Sequence, residues 1–153
     1  EINKMRIAVS GTPGTGKTKL AKSFVKKGFV YVDLKNIKGI SSGYDKKRKC
    51  RIIDTTIMVK KIVELIKKNP EKSFVFDSHL SHYIPKKYVD LCIITKCNLK
   101  TLQKRLAKRD YSKKKIEENL QSEIFDICLN EAKEFGHKIK IVDTSKIINK
   151  KKN

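Results

Sequence analysis

The sequence predicts an α/β domain built on a mainly parallel sheet, and three observations carry that reading. Short apolar runs, among them MRIAV (5–9), SFVFD (73–77) and VDLCIIT (89–95), alternate with longer segments whose apolar residues recur at helical spacing. The runs are continuous, as in strands covered on both faces, and do not alternate with polar residues. A glycine-rich loop, GTPGTGKT (11–18), joins the first run directly to the first helical segment.

Taken in order, MRIAV is a buried strand, and after the loop Leu20, Ala21 and Phe24 mark a helix that Gly28 closes. FVYVDL (29–34) reads as a second strand. From Lys35 to Arg51 the pattern dissolves into polar residues, which predicts a loop or a small insert. In the 54–68 segment Asp54 is placed to cap a helix, and Ile57, Ile62, Val63, Leu65 and Ile66 form its apolar face. Asn69-Pro70 ends that helix. The runs 73–77 and 89–95 are further strands. Asn98 caps a helix on which Leu99, Leu102 and Leu106 share a face, and a break near Asp110 precedes one long helix from about 113 to 135, ended by Gly136. KIKIVDT (138–144) is the last strand. With no internal repeat and no linker, residues 1–153 read as one domain.

Composition narrows the function. No apolar run approaches the roughly 18 residues of a membrane span, and the first ten residues have no signal-peptide pattern, so a soluble, cytoplasmic protein is expected. Cys50, Cys92, Cys97 and Cys128 lack C-x-x-C spacing and are expected to be reduced, with no zinc site. An excess of 37 Lys and Arg over 16 Asp and Glu gives a net charge of +21, a field that draws phosphate-bearing partners. Lysine overuse on solvated faces produces the same number, so charge alone does not choose a partner.

The loop is more specific. Gly11 to Thr18 satisfies G-x-x-x-x-G-K-[ST] between a strand and a helix, where backbone amides can wrap a phosphate chain. A nucleoside triphosphate with Mg²⁺ is the expected ligand: Lys17 bridges the β- and γ-phosphates and the Thr18 hydroxyl ligates the metal. Asp77, closing SFVFD, is the acid expected to hold the metal through water, ahead of Asp54 and Asp33. His79, two residues on, is placed to orient a water or a substrate oxygen, whereas His82 reads as a surface loop residue. Arg109 stands at the break before Tyr111, where a cationic segment can close over a transferring phosphoryl group. Arg105, four residues earlier, reads as a solvated helix charge.

The combination of GTPGTGKT, GYDKKRKCRIID, VFDSHLSHYIP and LQKRLAKRDYSKKKIEENLQSEIFDICLNEA resembles the adenylate kinase isoenzyme 6 group over about residues 6–135. The resemblance implies a P-loop NTPase fold with a five-stranded parallel core, a small monophosphate-binding segment (33–57) and a short lid (108–118). It implies ATP + AMP = 2 ADP with Mg²⁺, an accompanying ATPase activity, and a role with a small-subunit ribosomal protein in the pre-ribosomal RNA environment; a monomer is the expectation for the chain. By position, Gly14, Thr15, Gly16, Lys17, Thr18 and Lys19 fall on the ATP-phosphate loop, Arg109 on the lid contact, and Asp77 and His79 on the family's acid and histidine. One departure matters: between Tyr31 and Gly43 there is no arginine, only Lys35 and Lys38, so either the AMP site is weak or Arg48 and Arg51 supply its grip. The alternative is an ATPase-driven ribosome assembly factor with little monophosphate kinase activity.

Overall fold

The computed structural model describes residues 4–46 and 50–146, with the side chains of Cys50 and Arg51 left aside. Five strands, β1 (Arg6–Ser10), β2 (Val30–Asp33), β5 (Phe74–Asp77), β6 (Leu91–Lys96) and β7 (Ile139–Asp143), form one sheet in the order β2-β5-β1-β6-β7. Every pairing in it is parallel. The continuous apolar runs have their cause here: alternate residues of one strand feed two separate cores. Ala8, Phe74, Phe76, Cys92 and Ile94 face Met58, Ile62 and Ile66 of α2 (Thr55–Lys68) and Leu129 and Ala132 of α5 (Ile127–Glu134). Ile7, Val9, Val75 and Ile93 face Ala21 of α1 (Lys17–Lys22) on the other side. The chain leaves β1 between β5 and β6, where the connections diverge to opposite sides of the sheet, and such a switch point opens a crevice at the strand ends.

Most elements follow the sequence pattern, including the caps. Asp54 accepts from the Ile57 amide at 3.1 Å, and Asn98 accepts from Thr101 at 2.8 Å at the start of α3 (Leu99–Ala107). Two expectations are corrected and one is made definite. The small insert within 35–51 is a hairpin: β3 (Ser41–Asp45) and β4 (Cys50–Ile53) pair antiparallel with a register shift between Ser41 and Gly43. β3 exposes residues of both faces, so it carries no apolar alternation from which it could be read. The helix after the loop ends at Lys22, and a 3-10 turn (Val25–Lys27) completes the way to Gly28. The long helix is two helices, α4 (Lys113–Ile124) and α5, broken at Asp126, whose φ of 50° is left-handed. No Gly or Pro signals that break. The Lys96 ammonium of β6 sets it by pairing with Glu123 at 2.9 Å and with Asp126 on either side of the turn.

At the sheet edge, β7 exposes Lys140 and Ile141, and Lys138 stands exposed just before it. The three described cysteines, Cys92, Cys97 and Cys128, are buried and unpaired. Among the described residues no helix is long and apolar enough to cross a membrane.

Ile62 is fully buried in the larger core. Truncation by Ile62→Ala is expected to cost about 2–5 kcal/mol of unfolding free energy, measured by urea titration.

Candidate active site

The crevice at the end of β1 is shaped by the loop 11–16. A Cβ at Gly11 would run into the Thr95 hydroxyl of β6, and one at Gly14 (φ 93°) would come within 3.0 Å of both Leu102 and Leu106 of α3. Side chains there would push the loop off the sheet end, so glycine is required. Within the loop the Thr15 hydroxyl donates to the Thr12 carbonyl at 2.6 Å and meets the Thr95 hydroxyl at 2.7 Å. The first amides of α1 carry no side-chain cap and no acid stands in its first turn, leaving donors open toward the crevice.

Four of the expected site residues converge at this point. The Lys17 ammonium donates to the Thr12 carbonyl at 3.2 Å. Enclosure lowers its pKa to about 8, partly offset by the attraction of Asp77. Asp77 is 3% exposed, and its Oδ2 accepts from the Thr18 hydroxyl at 2.7 Å. His79 keeps solvent on one side, yet crowding by protein atoms and then the charges of Lys17, His82 and Lys115 hold its pKa well below the usual imidazole range. Across the crevice, Arg109 is exposed and donates to the Tyr111 hydroxyl at 3.0 Å, while the Lys115 ammonium lies 3.8 Å from the centroid of the Tyr111 ring. Arg109 and Lys19 line a cleft of about 390 Å³ together with Gly14, Gly16, Leu20 and Arg105.

Several neighbours were not legible as site residues. The Tyr31 hydroxyl of β2 donates to the same Asp77 oxygen at 2.6 Å, a contact created by the parallel register in which Tyr31 lies opposite Val75. Arg105 is half-buried, which corrects its reading as a solvated charge: it donates to the Thr144 carbonyl at 2.8 Å and the Thr144 hydroxyl at 3.2 Å, and reaches the Gly14 carbonyl at 3.4 Å. Glu123 is buried and accepts from the Thr12 hydroxyl (3.0 Å), the Cys97 amide (2.9 Å) and Lys96, which ties the end of α4 to the loop. His82 is not on the surface. It is fully buried, bonded to Ser10 at 2.6 Å and to Glu131 at 3.0 Å, and supports the crevice from behind. Asp54 and Asp33 serve as caps, Asp33 accepting from the Lys35 amide at 3.1 Å. Arg48, and the side chain of Arg51, lie outside the described residues.

The metal chemistry of the site is restricted by its donors. Thr18 and Asp77 offer hard oxygens suited to Mg²⁺, and no group of three or more His, Cys, Asp or Glu among the described residues could hold an ion alone. Mg²⁺ bound largely by phosphate and water fits that pair.

Residues 7–126 match the AAA domain family. The chain is 37% identical over 134 residues to a protein of Methanocaldococcus jannaschii provisionally named an adenylate kinase, covering 84% of this chain and 72% of that one. It is 33% identical over 135 residues to the adenylate kinase isoenzyme 6 homolog of Dictyostelium discoideum, covering 86% and 75%. The chain belongs to the adenylate kinase isoenzyme 6 family. Its fold is shared more widely. A Thermus thermophilus structure superposes with a TM-score of 0.61 at 10% identity, covering 93% of this chain and 89% of that one. An unliganded sugar kinase from Janibacter gives 0.58 at 13%, covering 92% and 86%. Within the family the chain is a P-loop nucleotide kinase.

Glu123 joins the loop, β6 and α4 through one buried carboxylate. Glu123→Ala leaves Lys96 without its buried partner and is expected to cost about 3 kcal/mol of stability in a urea titration.

Proposed function

We propose that the chain transfers the γ-phosphoryl group of MgATP to a nucleoside monophosphate, AMP first, and hydrolyses ATP slowly when no acceptor is bound. The observation that carries this reading is the Lys17–Thr18–Asp77 constellation at the loop: an enclosed ammonium, a hydroxyl and a buried carboxylate within one crevice. When bound, Mg²⁺ neutralises charge on the phosphate oxygens. The chain's own residues do the rest. The loop amides from Gly14 to Lys19 surround the phosphates, and Lys17 faces the β- and γ-oxygens. The Thr18 hydroxyl donates its proton to Asp77, so its oxygen lone pairs would be free to hold the metal, and Asp77 would hold the metal through water. Tyr31 and Thr18 both donate to one carboxylate oxygen, Oδ2, and so fix the Asp77 side chain. Arg109, on the lid 108–118, closes over the triphosphate and excludes water.

The hairpin within 33–57 is the acceptor segment. Its described cations are lysines, so bidentate recognition of a monophosphate falls to Arg48 and Arg51. One observation favours hydrolysis as a second activity. His79 stays neutral at pH 7, because its pKa is held down, and a neutral imidazole can accept a hydrogen bond from water at the crevice mouth. An ATP-timed role beside a small-subunit ribosomal protein and pre-ribosomal RNA, in the cytoplasm, is compatible with that activity.

ADP formation from MgATP, with and without AMP, tests the reading. Strong stimulation by AMP is expected. Lys17→Ala is expected to reduce both activities by about 10²-fold or more, and normal turnover in that variant would remove the site. In the free enzyme Lys17 loses its proton above about pH 8, so kcat/KM for MgATP is expected to fall as pH rises through that value. His79→Ala is expected to lower hydrolysis about 10²-fold while leaving transfer to AMP much less affected. Equal losses in the two activities would return His79 to a purely structural role.

A further inference from the structure

The positive charge is not spread evenly over the chain. Residues 7–32 and 91–109 together hold eleven Lys and Arg and none of the sixteen acids. The first segment contains α1 and the second α3, and these two helices are the walls of the cleft lined by Lys19 and Leu20 on one side and Arg105 and Arg109 on the other. The start of α4 extends the second wall with Lys113, Lys114 and Lys115, a first turn without an acid. Three cations at the positive end of a helix repel its dipole, an arrangement that an external anion relieves.

Lys22, Lys26, Lys27, Lys100, Lys104 and Lys108 are all exposed, and none makes an ion pair among the described residues. A single triphosphate in the cleft does not reach this whole array. On α3, Lys100, Lys104 and Lys108 recur every four residues, steps of about 6 Å along the axis. Gln103 and Ala107 are the exposed residues between these lysines, and Leu99, at the first position of the helix, is the one large apolar side chain that α3 exposes, too little to sink into lipid. Lysine ammonium groups are point charges that follow a phosphate backbone without reading bases.

From this we infer that the surface framing the cleft, α1 on one side and α3 with the start of α4 on the other, binds single-stranded nucleic acid through its phosphates. The strand crosses the mouth of the cleft and so competes with MgATP. The competition rests on the nucleotide-site reading above, whereas the binding itself does not.

The test is fluorescence anisotropy of a labelled single-stranded RNA of about 20 nucleotides, long enough to cover several lysines. Six engaged lysines predict a slope of log K against log salt near about −4. Lys100→Glu/Lys104→Glu is expected to weaken binding about 10-fold or more without altering basal ADP formation. The matched control is Lys60→Glu/Lys67→Glu on α2, which packs on the opposite face of the sheet from α1 and changes net charge by the same amount. It is expected to change binding by less than about 3-fold at the same salt. Equal weakening by the two double variants would overturn the inference in favour of diffuse charge. Absent RNA binding, with cosedimentation on phosphatidylserine vesicles instead, would overturn it in favour of a lipid surface. Saturating MgATP is expected to displace the RNA. Retention of RNA with ATP bound would remove the shared cleft. If wild-type protein fails to bind MgATP while still binding RNA, the nucleotide reading fails and the surface stands.

Discussion

The burial of one carboxylate constrains most of this structure. Asp77 is almost without solvent at the end of a central strand, and an ionised group there is tolerated only when charge and hydrogen bonds replace its water. Lys17 supplies the charge, while Thr18 and Tyr31 supply the bonds. Each donor comes from a different place in the chain, so the register of β2 on β5 and the start of α1 must be set together. The glycine loop follows from the same demand. Lys17 can lie beneath the loop only if the backbone bends close to Thr95 and to α3, where there is no room for a Cβ.

Two further polar clusters hold the loop from outside. Arg105 links it to Thr144 at the end of β7, and Glu123 links it to β6 and α4. Both clusters join elements distant in sequence, which makes the crevice a meeting place of the whole sheet edge. Glu123 is bonded to the loop at one end of α4, and Arg109 precedes its other end, so that helix is rooted in the crevice wall at its C-terminal end.

The strands were legible because a two-sided sheet demands continuous apolar runs, and MRIAV and SFVFD can satisfy little else. The caps at Asp54 and Asn98 were legible because their chemistry is local. The loop was legible because its glycines, lysine and threonine occur at a spacing few other structures need. By contrast, the hairpin at 41–53 is joined by backbone pairing, and its first strand, exposed on both faces, leaves no periodicity behind. The break at Asp126 is imposed by Lys96, thirty residues away, and no local sequence rule sees it. Tyr31, Arg105 and His82 are ordinary residues until the register brings them to Asp77, Thr144 and Ser10. Such roles belong to tertiary structure alone.

The open edge of the sheet has its own consequence. Among the described residues β7 is an edge strand with a half-exposed Ile141, a template onto which another chain can add, and Lys138 and Lys140 oppose that addition by repulsion between copies. The lysine excess of the chain thus also falls where it opposes strand addition between copies. Acetylation of those two side chains, which would leave every contact of the crevice in place, would turn the edge from a guarded border into an adhesive one.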